Sequence, residues 1–198
     1  MKPLLAISQT MDGRDRWPVV EYILLDAIEQ YSGDESYGDV AVFWLDPAAT
    51  YTSRLQAADY LTVEPSSYVE VGHPLFAIGA PLFAFGFPDN FPATGTSARI
   101  DYEARLIYTD LVSVEGTYAG QTSAFGLHAF ATDQMGDNPP NGFSGGPITS
   151  FTSGQHRLAG MILRGGAGSG LFRFLGTDLI TDLLGKLAPQ FGKLSRRP

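Results

Sequence analysis

Short apolar segments alternate with Gly, Pro, Asn and Asp along most of the chain, and this punctuation restricts the fold to one assembled from strands. Residues 40–45 (VAVFWL) are apolar on both faces, as a strand buried between two layers must be. Gly38 and Asp39 lead into that segment, and Asp46-Pro47 closes it. Residues 68–71, 82–87, 105–114, 123–130 and 158–163 read the same way, each bounded by turn formers. Many short strands imply a sandwich or barrels. Clear helical period is confined to the C-terminal region, where Leu179, Ile180, Leu183, Leu184 and Leu187 form one stripe. Thr177 or Asp178 supplies the N-cap there, and Asp182 early with Lys186 late suits the helix dipole. Residues 19–30 fit a helix and a buried strand equally well.

With 198 residues, 44% of them hydrophobic and 17% charged, the chain is sized for one domain or two small fused halves with a real core. The absence of cysteine excludes disulfides, Cys-ligated zinc and thiol nucleophiles, so any covalent catalyst uses oxygen or nitrogen, and no metal or cofactor is expected. A formal charge of −8 argues against nucleic acid as a partner. No segment approaches a membrane span and no signal peptide is recognisable, so the expectation is a soluble, cytoplasmic protein without a membrane partner. A six-residue motif occurs twice, PLFAIG at 74–79 and PLFAFG at 81–86. The odd offset of seven reverses the face a continuous strand would present, so one copy is expected as strand and the other as connector. The boundary between an N-terminal part, 1–70, and a C-terminal part, 71–198, is expected here.

Asn141-Gly142-Phe143-Ser144-Gly145-Gly146-Pro147 is the segment richest in chemistry. A serine attacking a carbonyl needs its Oγ projecting from a tight turn, and it needs backbone N–H groups aimed at the oxygen that becomes negative. Glycine permits such a turn: Gly142 can take conformations closed to other residues, letting its N–H converge with that of Ser144. The same residues also match the Gly-x-Ser-x-Gly elbow of α/β-hydrolases, which requires a helix after the serine and then an acid followed by a histidine. That order fails here, because His156 precedes Asp178 and Asp182, and 147–163 reads as strand, turn, strand.

The Ser144 motif, the polar turn at 153–155, the strand at 158–163, the Gly-rich stretch at 165–170 and the closing amphipathic helix together resemble the C-terminal barrel of trypsin-like serine peptidases. Phe85-Gly86-Phe87-Pro88 is similar to the Gly-aromatic-Pro element that opens the second barrel in bacterial, disulfide-free members. The segment from Asp39 to Leu45 is similar to the strand that begins with the family's catalytic Asp. The resemblance implies an all-β fold of two six-stranded antiparallel β-barrels, the first incomplete, with a C-terminal helix. It implies Ser144 as nucleophile, the N–H groups of Gly142 and Ser144 as oxyanion hole, and Asp39 as the residue orienting the base. Arg164, Gly165 and Gly166 would pair with the backbone of a polypeptide substrate, and Asn138 would lie near the floor of the specificity pocket.

One member of the family's catalytic set is missing. The general-base histidine precedes the Asp in this family, and residues 1–38 contain none. Loss of a triad member leaves only about 10³ to 10⁴ over water. The three histidines present read as structural: His73 exposed at a Gly-His-Pro turn, His128 half-buried in a strand, and His156 in a turn facing solvent. The expectation is therefore a serine endopeptidase-like domain with an impaired site, its N-terminal barrel truncated. The alternative is a catalytically inactive relative that binds peptides or serves as an assembly surface, and a third reading is an unrelated all-β domain with a coincidental turn.

Overall fold

The computed structural model describes residues 6–8, 16–25, 37–38, 40–45, 68–69, 73, 76–88, 90–91, 96–97, 99–101, 106–108, 111–124, 126–135, 141–166 and 168–194. The chain divides into two units, Met1–Leu61 with Gly185–Pro198, and Thr62–Leu184. In the first unit β1 (Ala6–Ser8), β2 (Arg16–Leu24) and β3 (Ala41–Leu45) form an antiparallel sheet in the order β1-β2-β3. β2 resolves the ambiguity of residues 19–30 up to Leu24 in favour of strand. Its Val, Tyr and Ile content suits a pleated surface, and its ladder to β3 runs from Val19↔Leu45 to Leu24↔Ala41. The fully buried Leu25 continues the pairing through a 2.9 Å bond from its N–H to Val40 O.

The second unit contains β4 (Pro81–Gly86), β5 (Asn90–Phe91), β6 (Thr96–Ser97), β7 (Arg99–Asp101), β8 (Leu106–Tyr108), β9 (Val112–Gln121), β10 (Leu127–Ala131), β11 (Pro147–Thr152), β12 (Gln155–Gly165) and β13 (Leu171–Gly176). Six of these close into an antiparallel barrel in the order β10-β13-β12-β11-β4-β9. Helix α1 (Thr177–Leu194) follows β13 directly. β4 and β9 show why the barrel has one interior: Leu82, Ala84, Val112, Val114 and Tyr118 are buried, and Ser113, Glu115 and Thr117 alternate with them as exposed residues. Among the described residues this is the one closed barrel.

Several expectations need correction. Of residues 68–71, Tyr68 and Val69 are described, and they are not part of a strand: Tyr68 makes an isolated parallel bridge to Leu158. Val69 is instead a plug, fully buried in the barrel core and bonded to Leu158 O through its N–H at 2.8 Å. The Thr177 hydroxyl donates to Val69 O, and Arg157 Nη2 donates to Tyr68 O at 2.5 Å. The segment 105–114 is divided between β8 and β9, and β9 runs on to Gln121 because its inward alternation continues through Tyr118. Strand β13 lies where no strand was expected, carried by inward Phe172 and Phe174 after the Gly-rich stretch. The repeat behaves as its spacing requires: the second copy is β4, and the described part of the first is a turn, closed by Ala80 N–H to Ala77 O at 2.8 Å. In α1 the stripe buries Leu179, Leu183 and Leu187.

The β11–β12 hairpin turns through two residues, Ser153 (φ 53°) and Gly154 (φ 79°), flanked by the pair Thr152↔Gln155. Positive φ at both central positions matches the twist of the strands, but Ser bears a steric cost that Asn largely escapes. Ser153→Asn is expected to raise stability by about 0.5 kcal/mol and Gly154→Ala to lower it by about 1 kcal/mol, read from urea unfolding midpoints at constant m.

Candidate active site

The loop entering β11 takes its shape from three close backbone approaches. Gly142 (φ 85°) and Gly145 (φ 81°) hold left-handed conformations. Gly146 N–H bonds Phe143 O at 2.9 Å, and Gly145 N–H and Ile162 N–H bond Ile162 O and Gly146 O, each at 2.8 Å, so the turn is stitched to β12. Beneath it lies the end of β4: Phe87 N–H donates to Gly142 O at 2.8 Å. A Cβ on Gly142 would collide with Phe87 O and stand 2.6 Å from Pro88 Cα, and one on Gly146 would collide with Phe85 O. The Phe85-Gly86-Phe87-Pro88 element is thus the bed of the serine loop. Phe143 fastens the loop from inside, fully buried with its ring 5.4 Å from that of Phe172.

Ser144 is held outward by this anchor and is exposed. Its Oγ donates to Leu163 O at 2.8 Å. Leu163 is the extra residue of a bulge, since the β12–β13 register steps from Ile162↔Phe174 to Arg164↔Arg173. Bulges re-aim a residue, and this one brings a carbonyl to the serine. Among the described residues no backbone acceptor engages the N–H of Gly142 or of Ser144.

Asp39 and Asn138 lie outside the described residues. Arg164 and Gly165 end β12, directly after the carbonyl that meets Ser144. Gly166 opens the turn into β13, its N–H bonded to Leu171 O at 3.1 Å. Sequence reasoning missed the Leu163 carbonyl and the Phe143 plug. The signal for the latter was available, because a large apolar residue beside the serine of a polar, glycine-rich turn has few places to go but the core.

The histidines are held elsewhere. His128 is fully buried rather than half-buried. Its Nδ1 shares a 2.8 Å hydrogen bond with the Tyr118 hydroxyl, its Nε2 faces Asp178 Oδ1 at 3.5 Å, and the rings of Phe76 and Phe174 flank it at 5.2 and 5.4 Å. His156 is exposed, yet solvent is not its only partner: Nδ1 bonds Thr149 Oγ1 at 2.9 Å, and the rings of Phe83, Phe85 and Phe151 surround it. His73 is exposed, and its carbonyl accepts Phe76 N–H at 2.7 Å. Burial, and then the Asp178 charge, push the Tyr118 phenol up. Burial also pushes Asp178 upward, but the His128 imidazole and the Leu179 N–H outweigh it and hold the carboxyl below its ordinary value.

No family model matches the chain, and no curated protein matches its sequence. Among solved structures, a mutant of human heparin binding protein superposes with a TM-score of 0.53 at 14% identity, covering 91% of this chain and 71% of that one. The chain has the trypsin-like (chymotrypsin) β-barrel fold. At this identity the likeness speaks for architecture, and the chemistry rests on the Ser144 loop itself.

Two outcomes follow from this geometry. Gly146→Ala must push against a backbone carbonyl and is expected to destabilise by about 2 kcal/mol, measured by denaturant unfolding. Because the folded-state value of Asp178 is depressed, its contribution to stability is present above the ordinary value of 3.8 and is lost as pH falls through the folded value. Asp178→Asn should therefore flatten the acid limb of a stability-against-pH curve below about pH 4.

Proposed function

We infer that this chain is a serine-peptidase-type domain whose Ser144 loop receives a carbonyl of an extended polypeptide. The observation that carries this is the exposed Ser144 hydroxyl on a loop that also offers the N–H groups of Gly142 and Ser144. In hydrolysis Ser144 Oγ bonds the carbonyl carbon, the oxygen takes the charge between those donors, and the serine proton passes by way of a base to the departing amine. Water then releases the acyl group. Asp39 would orient such a base, Asn138 would lie at the floor of the side-chain pocket, and the strands of the first unit would belong to an incomplete first barrel of a disulfide-free peptidase.

Among the described residues no histidine is hydrogen-bonded to the Ser144 hydroxyl to take its proton. Residues 1–38 hold no histidine, His128 is buried against Tyr118, and His156 is bonded to Thr149. Hydrolysis by this chain alone is therefore expected to be very slow. The second reading, an inactive domain that binds peptides without cutting them, draws support from the Ser144 hydroxyl donating to Leu163 O, which leaves the oxygen unactivated.

A fluorophosphonate probe separates the two. The first reading expects slow covalent labelling confined to Ser144 and abolished in Ser144→Ala. No label at millimolar probe, with peptide binding intact, establishes the inactive binder.

A further inference from the structure

β12 loses its neighbour on the β11 side where Ser144 stands. The last pair of that ladder is Pro147↔Met161, and Ile162 bonds the serine loop through Gly145 and Gly146. Among the described residues no strand pairs with Leu163, Arg164 or Gly165 on that side. On the other side β13 continues, and there Arg164 pairs with Arg173. Both arginines are exposed.

Residues paired across antiparallel strands present their side chains on the same face, and like charges placed so are unfavourable. The chain carries only 13 Lys and Arg and a net charge of −8, so two arginines paired across neighbouring strands run against its overall balance. A carboxylate brought to this face meets two positive charges, whatever else each arginine binds. Each guanidinium has five donors in a planar fork suited to a carboxylate, so both can share one without being otherwise idle.

Resting on the reading of Ser144 as a peptide-carbonyl site, we propose that Arg164 and Arg173 select peptides bearing a Glu or Asp next to the residue held at Ser144. The register supplies the position. Ser144 Oγ meets Leu163 O, so the peptide residue held at Ser144 lies beside Leu163. In a strand added antiparallel to the open edge, the preceding residue lies opposite Arg164, and its side chain shares the outer face with Arg164 and Arg173. The chain's net negative charge repels acidic peptides in general, so any preference for one must come from this local pair.

The test scans a single Glu through a neutral extended peptide, each version compared with its Gln counterpart by fluorescence anisotropy on the full chain. At low salt Glu should tighten binding about fivefold at one position and fade towards parity at high salt, as exposed charge pairs do. The preference should vanish in the Arg164→Gln/Arg173→Gln double variant, with its fold checked by circular dichroism. Arg173→Gln alone, on the outer face of β13, should weaken it partly. Peptides that bind with a flat scan, or a preference that survives the double variant, overturn the selection by arginine and leave the peptide site standing. If no peptide binds at all, the reading of the Ser144 loop falls as well.

Discussion

The second unit depends on two backbones lying too close for a side chain to pass between them. Where the serine loop rests on the end of β4, Gly142 and Gly146 face the carbonyls of Phe87 and Phe85, and everything chemical about the loop follows from that approach. It fixes the left-handed turns, presents Ser144 outward, and leaves two N–H groups without backbone acceptors among the described residues. Glycines are entropically costly to order, and Phe143 offsets that cost: burying a phenylalanine side chain is worth about 1.5–3 kcal/mol, and this one is fully buried beside Phe172. Apolar packing on one side of the serine thus holds the polar presentation on the other.

The bulge at Leu163 ties the serine to the strand beside it. A regular ladder would spend the carbonyls of β12 on neighbours, whereas the register step between Ile162 and Arg164 turns one toward Ser144 Oγ. The same step coincides with the end of the β11 ladder, so the Ser144 hydroxyl, the displaced carbonyl and the open edge lie side by side. A peptide paired there would compete for backbone groups that now serve the serine. On the proposed reading, binding and the state of the hydroxyl would be coupled through one carbonyl.

The sequence made the barrel legible where alternation was clean and hid it where polar residues interrupted. β4 and β12 could be read from apolar runs between turn formers, and β11 from its place before a polar turn, whereas the outer half of β9 reads Glu-Gly-Thr-Tyr-Ala-Gly, and only the inward positions Val114 and Tyr118 reveal its period. β13 is six residues after a Gly-rich turn, with an arginine at its centre, and local pattern gives it no advantage over a loop. The serine loop and its β4 bed were visible as composition, because only glycine tolerates such approach. The Leu163 carbonyl was not, since a bulge is a property of pairing and no single strand encodes it. The surroundings of His128 were equally hidden: Tyr118, Asp178 and Phe76 come from three separate elements.

Closure of the barrel also sets an order of assembly. β4, β9 and β10 can pair as they are synthesised, but the second edge of β4 waits for β11, and that of β10 waits for β13. Until then two strand edges stand open to wrong partners. Val69 enters early yet is held by Leu158 and by the hydroxyl of Thr177. The segment at Tyr68 and Val69 is thus secured by residues synthesised 89 to 108 positions later. A nascent chain halted before Thr177 lacks that hydroxyl's hold on Val69, and one halted before β13 also lacks the strand that closes the ring.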